Sequence, residues 1–307
     1  MRTIVVAAAV VTLAALPIAA PWLQFVLTLA IAKGFAALGV AVLLRAGLIS
    51  IGHAMFFAAS AYGVAVLARA GINDLGLLLV LSVLVAALVG AIAGSFLIRY
   101  RAIFFAMLNL AVSMVFYALC AKLYGVTGGT DGMPVPIPAV FGVVFTEPTF
   151  KNVLFYLSLA LMVLVGLGVQ RYLNSPLGHA LSAVHTNEIR LEYLGIPVWA
   201  VLLIAYVISA ALAGLGGAIS GFAIGRVVPD FAFWTASGHL VLIAVLGGIG
   251  GVPGAFIGAV FLELLHSAAV TVTDAWNLMV GMTLIIVIMF MPQGFYGLFA
   301  RKEALNL

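Results

Sequence analysis

Runs of about 20 consecutive apolar residues recur along the chain, GLLLVLSVLVAALVGAIAGSFLI at Gly76–Ile98 being the plainest. A helix rises about 1.5 Å per residue, so such a run matches the roughly 30 Å hydrocarbon core of a bilayer. A transmembrane barrel would instead alternate apolar and polar residues over segments of about 10, a pattern this sequence lacks. Hydrophobic residues make up 66% of the 307 and charged ones 7%, where a soluble domain carries roughly 25% charge. The chain is therefore read as an all-α, polytopic bundle embedded in lipid, a single transmembrane domain over 1–307.

About ten spans are expected, at 4–20, 23–44, 54–70, 76–98, 103–122, 152–170, 198–222, 237–250, 254–271 and 277–292. The 237–250 run is short and rich in glycine, which suggests a re-entrant or broken segment. The first run has the Arg2 and the small residues near Ala20 of a signal peptide, yet it is expected to stay, because a second apolar run follows at once. With the N-terminus inside, Arg2, Arg45, Arg99, Arg101, Arg171, Arg190, Arg301 and Lys302 collect on the inner side, against Arg69, Lys122, Lys151 and Arg226 outside. That excess follows the positive-inside rule and puts both termini and the loop 171–196 in the cytoplasm, with the loop 123–151 outside. Glycines spaced four apart, Gly90 with Gly94, Gly217 with Gly221, Gly247 with Gly251 and Gly254 with Gly258, predict close helix packing.

Several chemistries are absent from the sequence. No HExxH, GxSxG or paired carboxylates lie within a span, so catalysis is not expected. The single Cys120 and the lack of clustered Cys and His give no grounds for a metal, a disulfide or any cofactor. The dispersed net charge of +4 does not suit nucleic acid. No GxxxxGK[ST] occurs, so if ATP drives this protein another subunit binds it.

One long hydrophilic segment stands out, NSPLGHALSAVHTNEIRLEYLGI at Asn174–Ile196. Ser175 is a good N-cap, Pro176 suits the first helical position, and Leu177, Leu181 and Val184 share a face. Thr186 and Asn187 offer a second cap, Glu188 favours a helix start, and Gly195 can close the last turn with a left-handed residue. Two short helices with a kink at His185–Asn187 are predicted. Their apolar stripe has no obvious cover in its own chain, and an exposed stripe of that kind suits a partner.

In that segment and four others the chain resembles the membrane permease subunit of branched-chain amino acid (Liv-type) ABC importers. SPLGHALSAVHTNEIRLEYLGIPV is similar to that family's coupling loop. GLISIGHAMFFAASAYG at Gly47–Gly63, FFAMLNLAV at Phe104–Val112, TGGTDGM at Thr127–Met133 and VPDFAFWTASGHLVLIAVLGGIGGVPGAFIGA at Val228–Ala259 follow in the family's order. The loop is less charged than is usual there, with His179, Ser182, His185 and Thr186 in place of Arg or Glu. Asn109 stands where Thr is common, and Gly238 with His239 replaces larger or acidic residues. The resemblance implies a bacterial inner-membrane protein that works with a homologous second permease subunit, two cytoplasmic ATPase subunits and a periplasmic solute-binding protein. The solute would be a branched-chain amino acid, or a relative of it handled by the family such as urea, an amide or an aromatic acid. Ser175, Pro176, Leu177, Gly178, Leu181, Val184, Asn187, Glu188 and Gly195 would form the ATPase-coupling element.

Within the spans, polar residues mark a translocation path. His53, with Ser50, sits between glycines near the inner ends of two spans, lining a cavity or else capping a helix or bonding a backbone carbonyl. Asn109 contacts solute or ties helices together. Lys33 and Glu263 lie midway along their spans, and each alone costs about 2.5–3.5 kcal/mol on insertion scales; their equal depth suggests a pair, the alternative being that each is solvated in the cavity or snorkels. His266, three residues after Glu263, shares its face. Trp234, Phe231 and Phe233 are expected in an outer loop, as an aromatic belt or as a contact for a solute-binding protein. The rival reading is an ion-coupled secondary transporter using Lys33, Glu263 and His266 as a relay.

Overall fold

The computed structural model describes residues 12–14, 20–140, 142–248, 250–272, 275–290, 294, 295 and 297. The expected first span and the tail with Arg301 and Lys302 lie almost wholly outside them. In lipid every backbone amide must be bonded within the chain, and helices do so locally. The elements in order are α1 (Pro21–Leu44), α2 (His53–Arg69), α3 (Leu75–Leu97), α4 (Ala102–Lys122), β1 (Met133–Pro134), α5 (Glu147–Leu173), α6 (Pro176–Thr186), α7 (Glu188–Tyr193), α8 (Val198–Ile224), β2 (Arg226–Val227), α9 (Trp234–Gly247), α10 (Val252–Val272) and α11 (Trp276–Phe290).

Six of these, α1, α3, α4, α5, α8 and α10, are long and apolar enough to cross a membrane. The runs expected at 54–70, 237–250 and 277–292 fold as shorter helices of 17, 14 and 15 residues. The expected total of about ten spans is thus not what the described residues show. The 237–250 run illustrates why. After β2 the chain turns through a 3₁₀ segment, Pro229–Ala232, before α9 begins. Ser113, halfway along α4, donates its hydroxyl to the Ala232 carbonyl at 3.3 Å, which places the turn at mid-depth of the bundle. Pro229 and Ala232 are buried, the condition under which irregular backbone is tolerated at that depth. The far end of α9 reaches the Arg45 guanidinium, which bonds the Gly250 carbonyl at 3.4 Å. From β2 to the end of α9 the chain therefore traverses the bundle, and it is α-helical only from Trp234 on.

Helices α1 and α8 are the buried centre, while α3, α4 and α5 turn most of their surface outward. Small residues allow the centre to close. A Cβ on Gly39 of α1 would stand 2.6 Å from the Ser209 carbonyl of α8. Cβ atoms on Gly216 and Gly217 would run into the carbonyls of Ala32 and Phe57. The spacing-four glycines behave as expected at Gly90 and Gly94, which receive Ala210 and Tyr206, and at Gly258, which abuts Ile243 and Gly247. Gly247 itself faces Gly254 backbone to backbone.

Opposite the Arg45 end, β1 and β2 pair antiparallel, Met133 with Val227 and Pro134 with Arg226. The TGGTDGM segment reaches that pairing through three positive-φ glycines, Gly128, Gly129 and Gly132. A side chain at Gly132 would also strike the Val227 carbonyl, so glycine is required there twice over.

Gly217→Val should cost about 1–3 kcal/mol by overpacking against α2, seen as a lower melting temperature and a lower yield of monodisperse protein in detergent. Gly168→Ala, where a Cβ meets nothing within 4 Å, should leave both unchanged.

Candidate functional site

Three constellations contain the residues singled out above. The first joins Ser50, His53 and Asn109, all fully buried. The turn after α1 carries Ser50, and His53 opens α2 one turn later, so its Nδ1 lies 2.8 Å from the Ser50 hydroxyl. Its Nε2 lies 2.5 Å from the Ser209 hydroxyl on α8. Ser209 donates in turn to the Gly39 carbonyl of α1 at 2.7 Å. Asn109 of α4 accepts through Oδ1 from Ser50 at 3.3 Å and from Tyr206 at 2.6 Å, and its amide donates to the Phe105 carbonyl at 3.1 Å. The Ala54 amide, in the buried first turn of α2, donates to Ser237 Oγ of α9 at 2.9 Å.

This network ties α1, α2, α4 and α8 with every member bonded. His53 bonds two side-chain hydroxyls and not the backbone carbonyl expected of it, whereas Asn109 bonds across to Ser50 and Tyr206 as an amide that ties helices would. Tyr206, Ser209 and Ser237 complete the network and were not singled out from the sequence. Their only trace there is a hydroxyl within an apolar run.

The second constellation is charged. Lys33 Nζ on α1 and Glu263 Oε2 on α10 are 2.6 Å apart, so the two are joined as their equal depth suggested. His266 Nδ1 stands 4.0 Å from the other carboxylate oxygen. The pair opens on a cavity of about 150 Å³ between α1, α2, α9 and α10. His239 of α9 and His266 flank its polar side, and Phe57, Phe231, Leu240 and Leu262 supply apolar wall. Phe231 is thus inside the bundle, 5.9 Å from Phe57 ring to ring, and not in an outer loop. Phe233 packs at a tilt against Tyr117, 5.1 Å between ring centres. The 3₁₀ turn at mid-depth draws these aromatic residues inward from the place expected for them.

The third is the loop after α5. Ser175 Oγ accepts from the Gly178 amide at 3.3 Å, with Pro176 at the first helical position. Asn187 Oδ1 accepts from the Arg190 amide at 3.0 Å and so caps α7. Gly195 closes α7 at φ +76°, and the Ile196 amide bonds back to the Leu191 carbonyl at 3.1 Å. The kinked helix pair is as the caps predicted. Its apolar face is not.

Leu181 and Val184 are buried in the main core, covered by the chain's own α5 and α8. Gly178 makes this possible, since a Cβ there would lie 2.5 Å from the Tyr172 carbonyl, and its absence lets α6 fold back onto the end of α5. The exposed apolar residues are instead Leu177, Ile189, Tyr193 and Leu194, at 41%, 64%, 88% and 71% exposure. Glu188 Oε1 meets Arg101 Nε at 2.5 Å, and Arg101 also bonds the Ile98 carbonyl, which ties the loop to the α3–α4 turn. Both side chains of that pair are about one third exposed, so it fixes position more than it adds stability.

His53→Ala should leave Ser50 and Ser209 short of a partner and cost about 1–3 kcal/mol, read as a drop in melting temperature in detergent. Tyr206→Phe, which leaves Asn109 Oδ1 still accepting from Ser50, should cost less, about 0.5–1.5 kcal/mol.

The family described as branched-chain amino acid transport system, permease component, matches residues 22–289. The chain is 28% identical over 269 residues to the high-affinity branched-chain amino acid transport system permease protein LivM of Salmonella typhimurium LT2, covering 81% of this chain and 63% of that relative. LivM of Escherichia coli K12 is 27% identical over the same shares, and LivH of that organism is 34% identical over 125 residues, 40% of each chain. The chain therefore spans somewhat less than two thirds of the length of the LivM proteins. No solved structure matches. With the match running from residue 22 to residue 289 of 307, the chain belongs to the permease-component family of branched-chain amino acid transport systems.

Proposed function

We propose that this chain is the permease subunit of an ATP-driven importer that carries branched-chain amino acids or related small polar organic solutes across the bacterial inner membrane by alternating access. Family membership supports the class of protein, and the loop after α5 supports the mechanism. That loop holds two capped helices whose inner face is locked to α5 and α8, leaving Leu177, Ile189, Tyr193 and Leu194 exposed. A rigid element with one face in the bundle and one apolar face outside it is suited to take a push from a partner and hand it to the spans. The charge bias supports a cytoplasmic position for the loop and both termini. There it would dock on one of two ATPase subunits, since the sequence has no phosphate-binding loop of its own.

A homologous second permease subunit would complete the path, and a periplasmic solute-binding protein would deliver to the face bearing β1 and β2. The 123–151 segment would then form the outer loop and 171–196 the coupling loop of a single transmembrane domain. Ser175, Pro176, Gly178, Asn187, Glu188 and Gly195 would serve by shaping that loop, and Leu181 and Val184 by anchoring it. Leu177 is the one member of the expected stripe left to meet the ATPase.

Ile189→Asp with Tyr193→Asp should leave the chain folded and reduce uptake at least tenfold, about 1.4 kcal/mol or more of lost docking. Leu181→Asp should instead abolish folding by burying a lone charge. Vanadate-sensitive uptake in proteoliposomes, with the ATPase subunits co-purified, checks both. Normal uptake by the Ile189/Tyr193 variant would defeat the docking role.

A further inference from the structure

Lys33 and Glu263 occupy mid-span positions of α1 and α10, and both face the cavity of about 150 Å³. The Glu263 side chain is 6% exposed and that of Lys33 33%, so the lysine presents itself to the cavity while the carboxylate is reached past it. An ion pair is a costly way to tie two helices in lipid, and the hydroxyl and amide ties of the neighbouring network do that work without charge. What the pair offers beyond a tie is two opposite charges, 2.6 Å apart, beside an apolar pocket walled by Phe57, Phe231, Leu240 and Leu262.

The geometry points to this cavity as a binding site for a small zwitterion with an apolar body, which enters by exchanging partners with the ion pair. The solute carboxylate takes Lys33 Nζ, the solute ammonium takes the Glu263 carboxylate, and the apolar body packs against Phe57 and Phe231. One ion pair becomes two, and no charge is left alone. A solute with a single charge satisfies one side and strands the other in a low-dielectric site. An uncharged amide satisfies neither. The site thus selects α-amino acids over the simple acids, amines and amides of similar size. Filling it breaks the charged tie between α1 and α10 and leaves their apolar contact in place, Phe256 against Gly34 and edge-on to Phe35. This inference rests on the transport reading above and deepens it.

The test uses the assembled importer in detergent, with its co-purifying subunits and without the solute-binding protein. Labelled L-leucine is the probe, in competition with 4-methylpentanoate, which lacks the amine, and 3-methylbutylamine, which lacks the carboxylate. Leucine should bind saturably, and each analogue more than about tenfold more weakly. Lys33→Met combined with Glu263→Gln removes both charges together and strands neither, so assembly should survive while leucine binding is lost. Absence of leucine binding to the unaltered complex, equal binding of either analogue, or undiminished binding by the double variant each overturns the site. If the double variant does not assemble, the analogue competition decides alone. Wild-type uptake rates in the double variant would sink the site and leave the importer standing, whereas vanadate-insensitive uptake by the unaltered complex would sink the importer reading itself.

Discussion

Backbone-to-backbone contact between α8 and its neighbours α1 and α2 is the constraint from which the rest of the structure follows. In lipid there is no water to expel between helices, so association depends on how closely they approach and on the polar bonds that approach permits. Gly39, Gly216 and Gly217 bring the three helices to a separation at which side chains could not fit. Only at that separation can the Ser209 hydroxyl reach the Gly39 carbonyl and His53 reach Ser209. The buried network is thus a product of glycine placement, and it in turn fixes α4 through Asn109 and Tyr206.

Around that rigid centre the chain places the groups that are harder to bury. Lys33 and Glu263 satisfy each other across α1 and α10, next to the cavity that the 3₁₀ turn before α9 helps to enclose. The same turn carries Phe231 into the wall. The polar loop is held against α5 and α8 by Leu181 and Val184, while Ile189, Tyr193 and Leu194 of its second half stay exposed. The loop packs on α8 and α8 on α1, and α1 contributes Lys33 to the cavity.

Much of this was legible in the sequence, and the exceptions have a common cause. Long apolar runs fixed their own boundaries: 103–122 became Ala102–Lys122 and 76–98 became Leu75–Leu97, because lipid leaves the backbone no alternative to a helix. Caps were equally readable, since Ser175, Asn187 and Gly195 act within a turn of themselves. What covers a helix face is a long-range matter. Leu177, Leu181 and Val184 formed a stripe by periodicity, but periodicity does not say whether the cover comes from the same chain or another. The turn at Pro229–Ala232 was missed for the complementary reason, as an irregular segment at membrane depth carries no run to count. Tyr206 and Ser209 were hidden because an isolated hydroxyl hardly interrupts an apolar helix.

The central claim is that the α6–α7 loop is the contact through which an ATPase moves these helices. Cross-linking tests it most directly: a cysteine at Tyr193, introduced in a Cys120→Ser background, is treated with a short thiol-to-amine reagent in the assembled complex. The account predicts a product joining this chain to an ATPase subunit, with a yield that changes between the nucleotide-free and ATP-bound states. A complex that transports normally yet gives no such product from Tyr193, Ile189 or Leu194 would contradict it.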